Sequence, residues 1–323
     1  MVKQRILLTG STGFIGSNLL RHLSATTDSA LFAVLRKESN PWRIRDLIDS
    51  KKVSAVESDL TRPGEAASVL DAVKPDTVIN SATYGMFMAR EKDRERIIDV
   101  NVNLLCRLVA ESANRKIRKF VHVGSSSEYG LKPKAMKEDM VLEPVNTYGA
   151  SKAAGTIIAS QLARELSFPL VTLRLFSPYG YYEDPGRLLP TLVASYLDGK
   201  KPSLSSRTSV RDFTFIEDIV EAFVRVIESD TVPAGEVVNI ATGVQHSTED
   251  VVSALKKLTK SGLDPEWGKV PPRQAEPKVW KAEVSKAKRL LKWTSRFNLE
   301  SGLAKAIDWY AKNRHLYLKN QRT

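Results

Sequence analysis

LLTGSTGFIGSNLLRHL, Leu7 to Leu23, runs an apolar strand into three glycines spaced three apart and then into an amphipathic helix. Gly10, Gly13 and Gly16 remove the Cβ where the strand turns into the helix. An anion can then reach the backbone N–H groups, and the helix dipole attracts it. Glycines also serve turn geometry alone. Here they follow a predicted strand and open a predicted helix, which is the context a dinucleotide pyrophosphate needs.

Outward from that turn, Val2 to Thr9, Leu31 to Leu35, Val53 to Val56, Thr77 to Asn80, Phe120 to Gly124 and Pro169 to Phe176 read as short buried strands. Helical patterns at Ile15 to Ser24, Glu65 to Val73, Asp93 to Asn114 and Ala150 to Ser167 separate most of them. Continuous apolar strands alternating with helices predict a doubly wound parallel sheet, an α/β Rossmann fold. After Phe176 the pattern changes to Tyr, Pro and Gly, followed by helices and short strands such as Glu236 to Ala241. Gly262 to Pro277 reads as loop. The expected division is a dinucleotide-binding domain over 1–176, with a returning segment around 210–242, and a smaller α+β substrate-binding lobe over 177–323.

The chain has 323 residues, 42% of them hydrophobic, and a formal net charge of +12. A single cysteine, Cys106, excludes a disulfide framework, and no apolar run approaches the roughly 20 residues that cross a bilayer. No apolar signal segment is seen at the N-terminus. A soluble cytoplasmic protein with no membrane partner is expected. The positive charge is spread along the chain and thickens only between Lys278 and Lys292, on the solvent side of helical patterns, so no nucleic-acid partner is expected. His22, His122, His246 and His315 share no spacing, and no metal site is expected.

The run Thr9-Gly10-Ser11-Thr12-Gly13-Phe14-Ile15-Gly16 resembles the extended, nucleotide-sugar-modifying branch of the short-chain dehydrogenase/reductase superfamily. Further pieces fit in order: Asp59-Leu60, Asn80-Ser81-Ala82, Asn101-Val102, Ser125 to Gly130, Tyr148-Gly149-Ala150-Ser151-Lys152 and Arg211-Asp212-Phe213. The resemblance implies cofactor contacts from Gly10, Thr12, Gly13, Phe14, Ile15, Gly16, Asp59, Leu60 and Ala82. It also implies a homodimer formed by a four-helix bundle, for which 93–114 and 150–167 are the candidate helices.

Tyr148 and Lys152 stand four apart, on one helix face. An ammonium beside a phenol favours the phenolate and makes a general acid/base pair that also touches the cofactor. The resemblance places the catalytic hydroxyl at Ser125, where it holds the substrate oxygen; Ser126 is its rival. In the dehydratases of this type a carboxylate stands where this chain has Ser127, and strand alternation aims Glu128 to the other side. Arg36, near the end of the second strand, suits the 2′-phosphate of NADP, whereas NAD is read by an acid there. NADP is therefore expected, with NAD possible. Arg211 and Arg273 match positions that grip a nucleotide diphosphate with charge-assisted bonds. Arg187, Tyr84 and Ser177 complete the candidate substrate contacts.

The segments Phe176-Ser177-Pro178-Tyr179-Gly180 and Ala82-Thr83-Tyr84-Gly85 resemble the 4-keto-sugar reductases of this family, and that resemblance implies NADP-dependent reduction of a nucleotide-linked 4-keto-6-deoxy sugar. A nucleotide-sugar 4-epimerase with tightly bound NAD uses the same residues. A non-catalytic RNA-binding member of the superfamily is the alternative of another class.

Overall fold

The computed structural model describes residues 4–86, 91–271 and 277–320, the last three without their side chains. Strands β1 (Arg5–Thr9), β2 (Ala30–Leu35), β3 (Val53–Glu57), β4 (Thr77–Asn80), β5 (Lys119–Ser125) and β6 (Leu170–Leu175) form one parallel sheet. Three short pairs lie outside it: β7 (Pro178–Tyr179) with β10 (Thr214–Phe215), β8 (Ser203–Leu204) with β13 (Glu266–Trp267), and β9 (Val210–Arg211) with β12 (His246–Ser247). Strand β11 (Glu236–Ile240) returns to the main sheet and pairs with β6, giving the order β3-β2-β1-β4-β5-β6-β11. The strand order reverses between β1 and β4, and the carboxyl ends of these strands form the switch point at which sheets of this kind bind ligands.

Helices cover both faces. They are α1 (Phe14–Thr26), α2 (Arg45–Asp49), α3 (Glu65–Val73), α4 (Arg94–Ile98), α5 (Leu104–Asn114), α6 (Thr147–Glu165), α7 (Leu188–Leu197), α8 (Ile216–Glu228), α9 (Thr248–Thr259), α10 (Ser285–Leu291) and α11 (Leu299–Asn320). One apolar cluster joins Leu8, Leu19, Ile79 and Val121 to Phe223 and Ile219 of α8. The other joins Leu7, Val78 and Phe120 to Leu70 of α3 and Leu108 of α5. Strands β1, β4 and β5 are therefore apolar on both sides, which is why they read as continuous runs. Among the described residues no helix is long and apolar enough to cross a membrane.

Two expectations need correction. The stretch 93–114 is not one regular helix: a π turn, Asp99–Asn103, separates α4 from α5. The expected loop 262–277 contains β13, whose Trp267 stands opposite Leu204 and holds the segment against the second lobe.

Candidate functional site

The glycine turn is shaped by contacts that tolerate no Cβ. Gly10 has φ +64, and a Cβ there would lie 2.4 Å from the Ser81 carbonyl carbon. A Cβ on Gly16 would lie 2.4 Å from the Gly10 oxygen, so α1 begins tight against the turn. Gly13 caps α1 without a side-chain hydrogen bond, and the first turn holds no acidic residue. The helix N-terminus is therefore open to an anion, and a dinucleotide pyrophosphate fits it. Thr12 receives Arg43 Nη1 on its carbonyl at 3.2 Å, while Phe14 and Ile15 pack on the core.

Further along the carboxyl ends of the strands, Arg36 is exposed just beyond β2. It lines a polar cleft of about 360 Å³ with Asp59, Thr61, Asp93, Glu95, Arg96 and Asp99. Burial alone would raise the Asp59 carboxyl, but hydrogen bonds from Thr61 and the charges of Arg36 and Arg62 hold it below the ordinary range. Leu60 is buried behind it. Ala82 follows β4 and donates its N–H to Thr9 Oγ1 at 3.3 Å.

Ser125 ends β5 and caps the turn Ser126–Glu128, receiving the Ser127 N–H at 3.2 Å. Tyr148 lies in the first turn of α6, which Asn146 caps by accepting the Gly149 N–H at 2.8 Å. Its half-buried phenol is within hydrogen-bonding reach of both Ser125 and Thr83, and Arg187 faces it from the second lobe. Burial pushes this phenol up, against those two hydrogen bonds and the Arg187 charge.

That direction corrects the expectation of a phenol acidified by Lys152. The Lys152 ammonium is directed into the sheet, donating to the Val123 carbonyl at 2.6 Å and lying 3.4 Å from His122 Nε2. Burial depresses it to about 8, against the charge of Glu128. Tyr148 is thus a protonated donor at neutral pH. Glu128 is closed off as an acid: it accepts from Ser125 N at 2.7 Å, Thr156 Oγ1 at 3.1 Å and Arg174 Nε at 2.7 Å. Ser126 is buried in the same turn.

Sequence reasoning did not single out Thr83 or the side chain of Asn101. Asn101 accepts from Thr83 Oγ1 at 3.2 Å and Tyr84 N at 3.0 Å, and donates to the Tyr84 carbonyl and Ser151 Oγ. It sits in the π turn, opposite Gly155, where a Cβ would meet the Asn101 carbonyl at 2.4 Å. Tyr84 lies under the Arg96 guanidinium. The only signals for these two residues were motif positions, Asn101 in Asn101-Val102 and Thr83 in Ala82-Thr83-Tyr84-Gly85, with no role attached to either side chain.

The second lobe supplies the remaining candidates. Ser177 follows β6 with φ +27 and accepts the Thr214 N–H at 3.3 Å. Arg187 precedes α7, with its Nε 3.8 Å from buried Glu183. Arg211 lies over the Trp280 ring at 5.0 Å. Arg273 falls outside the described residues. Asp212 accepts from Thr242, Gly243 and Ala282, so it serves as a staple between loops.

The comparisons with known proteins agree with this geometry. The chain is 25% identical to a UDP-glucose 4-epimerase of Mycolicibacterium smegmatis over 312 residues, covering 95% of this chain and 98% of that one. It is 26% identical to a dTDP-glucose 4,6-dehydratase of Neisseria meningitidis, over 96% and 94% of the two chains. The crystal structure of UDP-glucuronic acid 4-epimerase from Bacillus cereus, in complex with UDP-glucuronic acid and NAD, superposes with a TM-score of 0.84 at 26% identity, over 96% and 99% of the chains. Residues 6–241 match the NAD dependent epimerase/dehydratase family, so the chain belongs to that family and is an enzyme of the extended short-chain dehydrogenase/reductase type.

Proposed function

We propose that this enzyme transfers a hydride and a proton at C4 of a nucleotide-diphosphate sugar, as an NADPH-dependent reductase of a 4-keto-6-deoxy sugar. The observation that carries the reading is the Tyr148 hydroxyl, within reach of the hydroxyls of Ser125 and Thr83 while the Glu128 carboxylate is taken up by Arg174. Water elimination needs a carboxylic group at the sugar. Ser127 stands at the position expected for it, and Glu128 is held in the Arg174 bridge. A donor phenol with two orienting hydroxyls suffices for protonating a developing alkoxide.

The glycine turn would hold the pyrophosphate of NADPH, and Arg36 its 2′-phosphate. Once bound, the cofactor supplies the hydride. Ser125 and Thr83 hold the substrate oxygen, and Tyr148 gives it the proton. Arg187 and Arg211 face the anionic end of the sugar nucleotide from the second lobe, with Arg273, Tyr84 and Ser177 as further contacts.

A 4-epimerase with NAD is the second reading. The relatives named above favour it, as do the carboxylates of Asp59, Asp93, Glu95 and Asp99 around Arg36, which oppose a 2′-phosphate. One assay separates the two. Incubated with a nucleotide 4-keto-6-deoxy sugar, the reductase oxidises one NADPH per product. Interconversion of UDP-hexoses without net cofactor oxidation would replace the reductase reading by the epimerase.

A further inference from the structure

Asn80 pairs laterally with Thr9 of β1 on one side and with His122 of β5 on the other. Three polar side chains therefore stand in one row across the sheet, each 1% exposed, and Lys152 reaches them from α6 at 2%. Groups so buried must find partners among themselves.

The row has a direction. The Ala82 N–H donates to Thr9 Oγ1 at 3.3 Å, and the Thr9 hydroxyl donates onward to Asn80 Oδ1 at 2.5 Å. With its oxygen so placed, Asn80 turns its NH2 to His122 Nδ1 at 3.3 Å. An NH2 can only donate, so Nδ1 is the accepting nitrogen and the ring proton sits on Nε2. That nitrogen faces Lys152 Nζ at 3.4 Å.

We propose that His122 is a positioning residue for Lys152: the one-way hydrogen-bond chain from Ala82 through Thr9 and Asn80 locks its proton on Nε2, so that a donor faces the lysine nitrogen and favours the uncharged amine. Lys152 can then accept from Nε2–H while still donating to the Val123 carbonyl. The charged groups around it agree. Burial and the Lys152 charge keep His122 well below its ordinary range and therefore neutral. Burial depresses Lys152 to about 8, opposed by Glu128 from the turn after β5. Glu128 is itself bound to Arg174 of β6, and Tyr148 stands one turn earlier on α6. Thus the glycine turn that receives the cofactor is tied, through three side chains, to the protonation of the lysine at its far end. The effect on turnover, though not the tautomer, rests on the function proposed above.

Long-range proton–nitrogen NMR of the full chain tests this, with His122 assigned by loss of its signals in His122→Phe. A neutral ring protonated on Nε2 from about pH 6 to about pH 9 is expected. A ring protonated on Nδ1, bonded to the nearby Asn80 carbonyl, would overturn the proposal. Asn80→Asp reverses the chain: the carboxylate accepts from Thr9 and from Nδ1–H, leaving Nε2 bare for the ammonium. The alkaline limb of kcat/KM should then move up by about one pH unit. A switched tautomer with an unmoved limb would also overturn it. Should Asn80→Asp not fold, the near-isosteric Thr9→Val frees the amide, and two His122 tautomers should appear in place of one. A single unchanged Nε2–H tautomer there would count against the chain. A wild type inactive on every nucleotide sugar would sink the proposed function and leave the tautomer result standing.

Discussion

Arg174 Nε donates to Glu128 Oε2 at 2.7 Å beneath the site, with 4% and 0% of the two side chains exposed. The same guanidinium donates to the Tyr129 hydroxyl at 3.0 Å, which donates to Asn239 at 2.7 Å. The network carries the loop that holds Ser125, and its role is support. Glu128→Gln leaves a buried arginine without its counter-charge, and should cost about 3 to 5 kcal/mol. Urea unfolding measures it. A smaller loss together with a complete loss of turnover would instead make Glu128 a participant in the chemistry.

Tyr148→Phe keeps the ring and removes the proton. Turnover should fall by about 100-fold to about 10,000-fold, the usual worth of a positioned acid. Nucleotide-sugar affinity, followed by calorimetry, should change little. Because burial raises the phenol, activity should not depend on the group becoming ionised at neutral pH.

Much of this arrangement was legible in the residues. Leu7, Val78 and Phe120 lie in runs apolar on both faces, and such runs announce a covered parallel sheet. Tyr148 and Lys152 at helical spacing announced a shared face. The spacing could not show where the lysine nitrogen goes, because its partners Val123 and His122 come from a strand about thirty residues earlier. Asn101 was visible only as part of a motif. A π turn has no periodicity of its own, so 93–114 reads as one helix and the crossing of Asn101 toward Tyr84 and Ser151 is lost. Thr83 was visible only inside the segment Ala82-Thr83-Tyr84-Gly85, and its approach to Tyr148 emerges once β4 and α6 are brought together. Pairs such as Ser203–Leu204 with Glu266–Trp267 are too short to alternate.

The proposed role of Arg36 can be tested by reversing its charge. If it reads a 2′-phosphate, Arg36→Glu should lower kcat/KM with NADPH by about 100-fold, the worth of a charge-assisted bond of about 2 to 3 kcal/mol. The value with NADH should stay near that of the wild type. Equal effects on both cofactors would mean that the arginine serves only the surface and that NAD is the natural ligand.

Ile157 and Ile158 are 56% and 40% exposed although much of α6 is packed into the fold, and Ile98 of α4 is 49% exposed. We expect them to be covered by a second copy in a four-helix bundle. Ile157→Glu should convert a dimer to a monomer in sedimentation velocity while leaving the far-ultraviolet dichroism unchanged. A wild type that sediments as a monomer at all concentrations removes the bundle from consideration.

Lys152 offers a test of burial that does not depend on turnover. Its ammonium titrates at about 8 in the fold, against 10.5 for an ordinary lysine, chiefly because burial disfavours the charge. Between these values the unfolded chain binds more protons than the folded one, so stability must rise with pH. Below about 8 both states are charged and the penalty is present in full. With 2% of the residue exposed, solvent screening is slight. Other groups titrate in the same range, so the informative quantity is the difference between wild type and Lys152→Met. From pH 7 to pH 10.5 the wild type should gain on the order of 3 kcal/mol relative to the variant, from a shift of about 2.5 units at 1.36 kcal/mol each. A flat difference in urea unfolding across that interval would mean that the lysine keeps its charge inside the protein, held by Val123 and Glu128 more strongly than burial expels it.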